Sequence, residues 1–173
     1  MALVDINQRQ EYFDYMNKLL DAEYLPENSI VFASLDEDGN ILGGVLFSQF
    51  TRNNCEVTCA SSSPRFLNRN FMDVFFHYAF ITAGKARVNA IVDVDNEKSK
   101  VLCRKIGFIE EGVLKRWYGD KDAVIFRMTR EECRWIKDYK IESPKEKTNG
   151  KRVVKSSGSC KLSRKSAAKN TAK

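Results

Sequence analysis

From Asn7 to Leu20, the residues Phe13, Met16 and Leu20, with Tyr12 and Leu19 adjoining, recur at three- and four-residue spacing. That spacing predicts an amphipathic helix. A loop closed by Pro26 and Asn28 follows. Ser29–Leu35 and Ile41–Phe47 are rich in β-forming residues and flank Asp36-Glu37-Asp38-Gly39-Asn40. Asp-Gly is a strong hairpin signal, so an antiparallel pair is expected. Cys55–Ser61 reads as a third strand. After Pro64 to Asn70, the segment Phe71–Ala83 is apolar nearly all round, which predicts a largely buried helix. Arg87 to Asp95 alternates Val88, Ala90, Val92 and Val94 with Asn89, Ile91, Asp93 and Asp95, a strand placed to follow that helix by a right-handed crossover. Asn96 suits the N-cap of a helix running to Ile106, and Gly107 supplies the left-handed residue that ends it. Two further β segments, Phe108–Trp117 and Ala123–Met128, flank Gly119-Asp120-Lys121-Asp122, and a short last helix is expected from Thr129 or Arg130. The order α-β-β-β-α-β-α-β-β describes an α/β or α+β domain, with a mixed, mostly antiparallel sheet and helices on both faces.

Composition adds limits rather than detail. With 173 residues, 43% hydrophobic and 11 Phe, the chain supports one core. No window approaches the ~18 consecutive apolar residues of a membrane span, and Met1 to Arg9 lacks the basic-then-apolar order of a signal peptide. A cytoplasmic location with no membrane partner is expected. Cys55, Cys59, Cys103, Cys133 and Cys160 are odd in number and never spaced Cys-x-x-Cys, which favours reduced thiols. His77 is the only histidine, so a zinc site lacks its usual ligands and no metal is expected. An i,i+4 pair with Asp73 is the simplest role for His77.

The net charge of +6 is unevenly distributed. Residues 1–138 carry 18 Lys and Arg against 21 Asp and Glu, whereas 139–173 carry 11 against 2. The second stretch is dominated by Lys, Ser, Ala, Thr and Gly from Lys145 onward. It lacks the apolar residues needed to offset ordering entropy. Two regions are therefore expected: a mildly acidic domain over 1–138 and a basic, low-complexity, disordered tail over 139–173. The tail has the charge for non-specific nucleic-acid contact but no aromatic interleaving for base recognition.

On the helix after Asn96, positions 99, 102, 103 and 106 form one stripe, so Ser99 and Cys103 face inward with Leu102 and Ile106. Lys98, Lys100, Arg104 and Lys105 lie around the other side, as a solvated face. Spacing alone favours Ser99 as a residue of the first helical turn and Cys103 as a small core residue.

Asn96-Glu97-Lys98-Ser99, Val101-Leu102, Lys105-Ile106-Gly107-Phe108, Glu111-Gly112 and Leu114-Lys115 together resemble the GNAT acetyltransferase superfamily. The resemblance is to its RimJ/RimL-like branch, which acetylates protein N-termini, with a small phage-type GNAT-fold protein as an alternative. It extends through Tyr78-Ala79-Phe80, Arg87-Val88, Met128, Glu132, Cys133 and Trp135. It implies the GNAT fold, acetyl-coenzyme A as cosubstrate, and direct transfer of acetyl to a primary amine: a protein N-terminus, a lysine or a small molecule.

Such proteins cradle the pyrophosphate of coenzyme A on N–H groups opening a helix, in a Gln/Arg-x-x-Gly-x-Gly/Ala loop, an arrangement suited to anions. Arg65-Phe66-Leu67-Asn68-Arg69-Asn70 has that spacing, with Asn68 and Asn70 in place of the glycines, and Arg65 and Arg69 to attract phosphate. Asn tolerates a left-handed backbone better than most residues, which would keep such a loop viable. The resemblance places Asn96 near the pantetheine arm, where its capping role alone would also explain it. Many members use as acid a Tyr at the position of Cys103, whereas RimL-like members use the Ser of Asn-x-x-Ser, which is Ser99. Ser99 is the first candidate acid and Cys103 the second. The resemblance makes Glu56 the candidate base, acting through water, where an exposed strand residue would also explain it, with Asp93 and Asp95 as competitors that also suit a helix start. Trp117, Tyr118, Asp120 and Asp122, with Tyr12, Tyr15, Glu23 and Tyr24, fall in regions that flank the acceptor. A second reading is a catalytically silent GNAT-fold module, such as a phage virion component, with the tail binding nucleic acid.

Overall fold

The computed structural model describes residues 2–136; the expectations for the 139–173 tail and for a boundary at 138 lie outside the described residues. Seven strands form one sheet in the order β1-β2-β3-β4-β5-β7-β6. They are β1 (Leu3–Asp5), β2 (Ile30–Leu35), β3 (Ile41–Ser48), β4 (Asn54–Ser61), β5 (Arg87–Asp93), β6 (Ile109–Leu114) and β7 (Ala123–Thr129), with helices α1 (Gln10–Leu20), α2 (Arg69–His77) and α3 (Glu97–Ile106). Every neighbouring pair is antiparallel except β4 with β5. This is the mixed, mostly antiparallel architecture of the GNAT fold.

Alternation along β2 and β3 decides which helix lies on which face. Val31, Ala33 and Leu46 pack with Tyr12, Phe13 and Met16 of α1. Their neighbours Phe32, Val45 and Phe47 point the other way, into a cluster with Phe71, Phe75, Phe76 and Phe80, against which Cys103 and Ile106 of α3 also pack. Helices therefore cover both faces.

Strand β1 is absent from the sequence expectation because three residues cannot display a period. It pairs Leu3 with Leu35 and Asp5 with Ala33. Helix α1 begins at Gln10, not Asn7, because the preceding residues make other bonds. Asn7 donates to Asp5 Oδ1 from its N–H (2.9 Å) and side chain (2.6 Å). The Gln8 carboxamide accepts the Val31 N–H at 2.9 Å and donates to the Val31 carbonyl at 3.0 Å, extending the β1 ladder with a side chain.

The second expected helix is α2 followed by a π-helical turn, Tyr78–Thr82, closed by the Ala83 N–H on the Tyr78 carbonyl at 2.8 Å. Asn96 caps α3 by accepting the Ser99 N–H at 3.1 Å, and Gly107 ends it at φ 116°. Strand β6 stops at Leu114 because Arg116 takes a left-handed φ of 55° and turns the chain. Among the described residues the last helix shows only the turn Arg134–Ile136, starting later than Thr129 or Arg130, because the Glu132 carboxylate caps the Thr129 N–H at 3.0 Å and pairs with Arg127. Lys100 is 8% exposed rather than solvated: its Nζ donates to the Val94 carbonyl and meets Glu97, each at 2.5 Å, clamping the turn between β5 and α3. Among the described residues, no helix is long and apolar enough to cross a membrane.

Gly43 marks a close contact. A Cβ there would lie 2.5 Å from Ser61 Cβ and 2.7 Å from the Phe66 ring. Gly43→Ala is expected to cost roughly 1–3 kcal/mol by overpacking, measured by denaturant titration.

Candidate functional site

Strands β4 and β5 run parallel, yet only Asn54–Glu56 pairs with Arg87–Asn89. Beyond Glu56 and Asn89 the strands part, although β4 continues to Ser61 and β5 to Asp93. A cleft of about 530 Å³ occupies the gap. Because the sheet is open here, the cleft reaches both faces. Leu20, Thr58, Ile91 and Tyr118 line it toward α1, and Phe66, Met72, Phe75, Ser99, Cys103 and Phe108 line it toward α2 and α3. An apolar slot with a few convergent polar groups is the usual form of a small-molecule site.

The α3 wall brings together Asn96, Ser99 and Cys103, with Lys98 at the rim. Helical spacing assigns Lys98 to a solvated face, whereas the structure sets it at the border of the cleft. Across from Cys103 stands Cys59 of β4, which no pattern in the sequence singles out. Cys59 is exposed as a residue along the cleft, but its thiol is enclosed by protein. Burial pushes the Cys59 thiol up to about 12, with the nearby Cys103 adding to the effect, and burial pushes Cys103 up to about 11. Both thiols are protonated at neutral pH.

Glu56 sits at the apex of the splay, between Ser48 of β3 and Asn89 of β5. Among the described residues, no hydrogen bond or ion pair engages its carboxylate, and desolvation raises it above the ordinary glutamate value. A half-buried carboxylate with no partner is costly unless a cation or a proton joins it. Asp93 and Asp95 differ in this respect, since Lys121 Nζ lies 3.9 and 3.6 Å from them. Tyr24, from the loop after α1, brings its hydroxyl to 3.4 Å from Thr58 Oγ1. Tyr118 and Asp93 line the cleft, and burial, then the charges of Asp93 and Glu56, then Tyr24, raise the Tyr118 phenol.

The anion-binding residues are distributed differently from the expectation. Asn68 caps α2 with φ −119°, its Oδ1 accepting the Phe71 N–H at 2.8 Å while its Nδ2 donates to the Ala2 carbonyl at 3.1 Å. Asn70 lies inside α2. Neither takes the left-handed backbone anticipated for a glycine replacement. Arg69 and Asn70 line a separate groove with Asp73, His77 and Trp135, and Arg65 is exposed on the turn Pro64–Phe66. The N–H groups opening α2 suit an anion, and Arg65 and Arg69 carry positive charge on the same stretch of chain, but none of these residues lines the cleft itself. The Asn68 side chain takes one of those N–H groups for itself.

Among the described residues, no group of three or more His, Cys, Asp or Glu is placed to hold a metal ion. No family model and no curated protein matches the chain. Solved structures do match. A mutant form of SpeG, the spermidine N-acetyltransferase of Vibrio cholerae, superposes with a TM-score of 0.65 at 14% identity, covering 79% of this chain and 97% of that one. The Vibrio cholerae spermidine N-acetyltransferase in complex with CoA and spermine gives 0.61 at 15% identity, covering 76% and 96%. A chimera of SpeG and hSSAT gives 0.61 at 16%, covering 75% and 96%. At these identities the likeness establishes the fold.

Proposed function

We propose that the chain is a cytoplasmic N-acetyltransferase that passes acetyl from acetyl-coenzyme A directly to a primary amine. The observation that carries this reading is the splay: one cleft crosses the sheet, with Ser99 and Cys103 on one side and the Tyr118 phenol on the other, close to the Glu56 carboxylate, which no described residue pairs. The structural neighbour solved in complex with CoA and spermine supports it. The acetyl thioester supplies an activated acyl group. Arg65, Arg69 and the opening of α2 would hold the phosphates, and Asn96 the pantetheine arm. Glu56 takes the proton that the amine must lose, directly or through water, while Ser99 or Cys103 faces the departing sulfur. The RimJ/RimL-like pattern of α3 favours a polypeptide N-terminus as acceptor, and the carboxylates near the cleft favour a cationic amine of any kind. Residues 1–138 act as the catalytic unit, with 139–173 as a basic appendage.

The capping role of Asn68 favours a second reading: a catalytically silent GNAT-fold module with a nucleic-acid-binding tail. Acetyl-coenzyme A separates the two. At ~100 times its dissociation constant it is expected to stabilise the fold by roughly 2.7 kcal/mol, visible as a melting shift, and desulfo-coenzyme A is expected to do the same. No shift at millimolar ligand supports the silent module. Ser99→Ala is expected to lower turnover ~10²-fold with ligand affinity retained if Ser99 alone donates the proton.

A further inference from the structure

We propose that Tyr118, rather than a residue of α3, hands the proton to the departing sulfur. The proposal rests on the acetyltransferase reading above. Besides Ser99 and Cys103 on α3, Thr58, Cys59 and Ser61 on β4, and Lys98 at the rim, the cleft is lined by the phenol of Tyr118, which enters from the connection between β6 and β7. Proton transfer is most efficient when donor and acceptor have similar affinities for the proton. An ordinary thiol titrates at ~8.5 and a phenol at ~10, whereas an aliphatic hydroxyl does not titrate in water at all. Ser99 is thus poorly matched. Cys103 packs against the hydrophobic core, away from the water that must restore a spent proton. Tyr118 is 48% exposed, so it reaches both the cleft and solvent.

The segment that carries Tyr118 is braced. Asp122 accepts the Arg116 N–H at 2.9 Å and Lys115 Nζ at 2.7 Å. The Tyr118 N–H donates to the Lys121 carbonyl at 3.0 Å, and the Val94 N–H to the Asp122 carbonyl at 3.2 Å, which ties the connection to the end of β5. Gly119 takes φ 81° to allow the turn. A rigid backbone thus presents a phenol whose hydroxyl has no hydrogen-bond partner among the described residues. Partial burial, and then the neighbouring negative groups Asp93 and Glu56, keep it protonated, as a donor requires.

The step balances without another reactant. The amine lone pair forms the C–N bond, Glu56 accepts the amine proton, the C–S pair leaves with sulfur, and the Tyr118 proton joins it. The phenolate is then reprotonated from solvent as Glu56 releases its proton, giving amide and free thiol.

The test is Tyr118→Phe in the full chain, assayed with acetyl-coenzyme A against a panel of polyamines and N-terminal peptides. Turnover is expected to fall ~10²-fold with acetyl-coenzyme A affinity unchanged, and the alkaline limb of the kcat profile to disappear. A fluorinated tyrosine at 118, being more acidic, is expected to move that limb to lower pH, which a packing role would not do. Independently of any acceptor, the ring resonance of Tyr118 is expected to respond to coenzyme A and not to desulfo-coenzyme A. Unchanged turnover and pH profile in Tyr118→Phe, or equal responses to the two ligands, overturn the proposal while leaving the acetyltransferase reading intact. Absence of acetyl-coenzyme A binding by the unsubstituted protein overturns both.

Discussion

Glu56→Gln is expected to abolish most turnover while making the protein more stable at neutral pH. The two effects have one cause. Burial raises the Glu56 carboxyl above its ordinary value, and among the described residues no cation offsets it. The folded state therefore holds this proton more tightly than the unfolded chain, so the ionised form is the unfavourable one. That penalty is absent below the unfolded value, about pH 4.3 for glutamate, and is fully present once pH passes the raised folded value. Glutamine removes the charge and with it the penalty. The melting temperature of Glu56→Gln is expected to exceed that of the unsubstituted protein at about pH 8 and to match it at about pH 4. Turnover moves oppositely. A base must be ionised to accept a proton, so activity should rise with pH through the raised Glu56 value and fall ~10²- to 10⁴-fold in the variant. A variant that loses neither turnover nor the destabilisation at alkaline pH would show that Glu56 is an ordinary strand residue.

The parts of this molecule that read directly from the sequence are those fixed by neighbouring residues. The Asp36 to Asn40 turn is one: Asp36 Oδ1 accepts the Asp38 and Asn40 N–H groups at 3.0 and 2.8 Å, and Gly39 takes φ 85°. The Asn96 cap and the Gly107 stop are others. Strand β1 is hidden because its partner, β2, lies about thirty residues away and its three residues carry no pattern. The splay is hidden for a related reason, since where two parallel strands separate depends on what packs between them. Asn68 illustrates a different limit. Asn before a helix is both a cap and, in a family pattern, a substitute for a phosphate-loop glycine, and only the bonds to Phe71 and Ala2 distinguish these uses. Tyr118 can be assigned from sequence to an acceptor-flanking connection, yet its approach to Glu56 and Asp93 depends on the fold of the β6–β7 connection.

The core that holds the α2–α3 face of the cleft in place should depend most on Phe76. Its ring stacks on Phe80 at 5.9 Å and Trp135 at 6.3 Å, meets Phe75 edge-on at 4.3 Å and lies 6.1 Å from Phe108. It is fully buried, so it joins α2 to the entry of β6 and to the final turn, whose Trp135 also donates from Nε1 to the Ile106 carbonyl at 3.0 Å. Removing the ring leaves a cavity among aromatic neighbours that cannot collapse without breaking their mutual packing. Phe76→Ala is expected to cost about 3–5 kcal/mol, a large share of the ~5–15 kcal/mol that stabilises a typical domain. Phe76→Leu, which keeps much of the volume, should cost distinctly less. The consequence for function follows from Phe108, which touches Phe76 on one side and lines the cleft on the other. Where Phe76→Leu remains folded, ligand affinity is expected to weaken while the pH dependence of turnover is unchanged, because the proton-transfer groups are untouched. Denaturant unfolding with calorimetric titration of acetyl-coenzyme A checks both halves. A stability loss below ~1 kcal/mol for Phe76→Ala, far under the range for a deleted core ring, would show that the aromatic cluster is loosely packed and that the α2–α3 wall is held by other contacts.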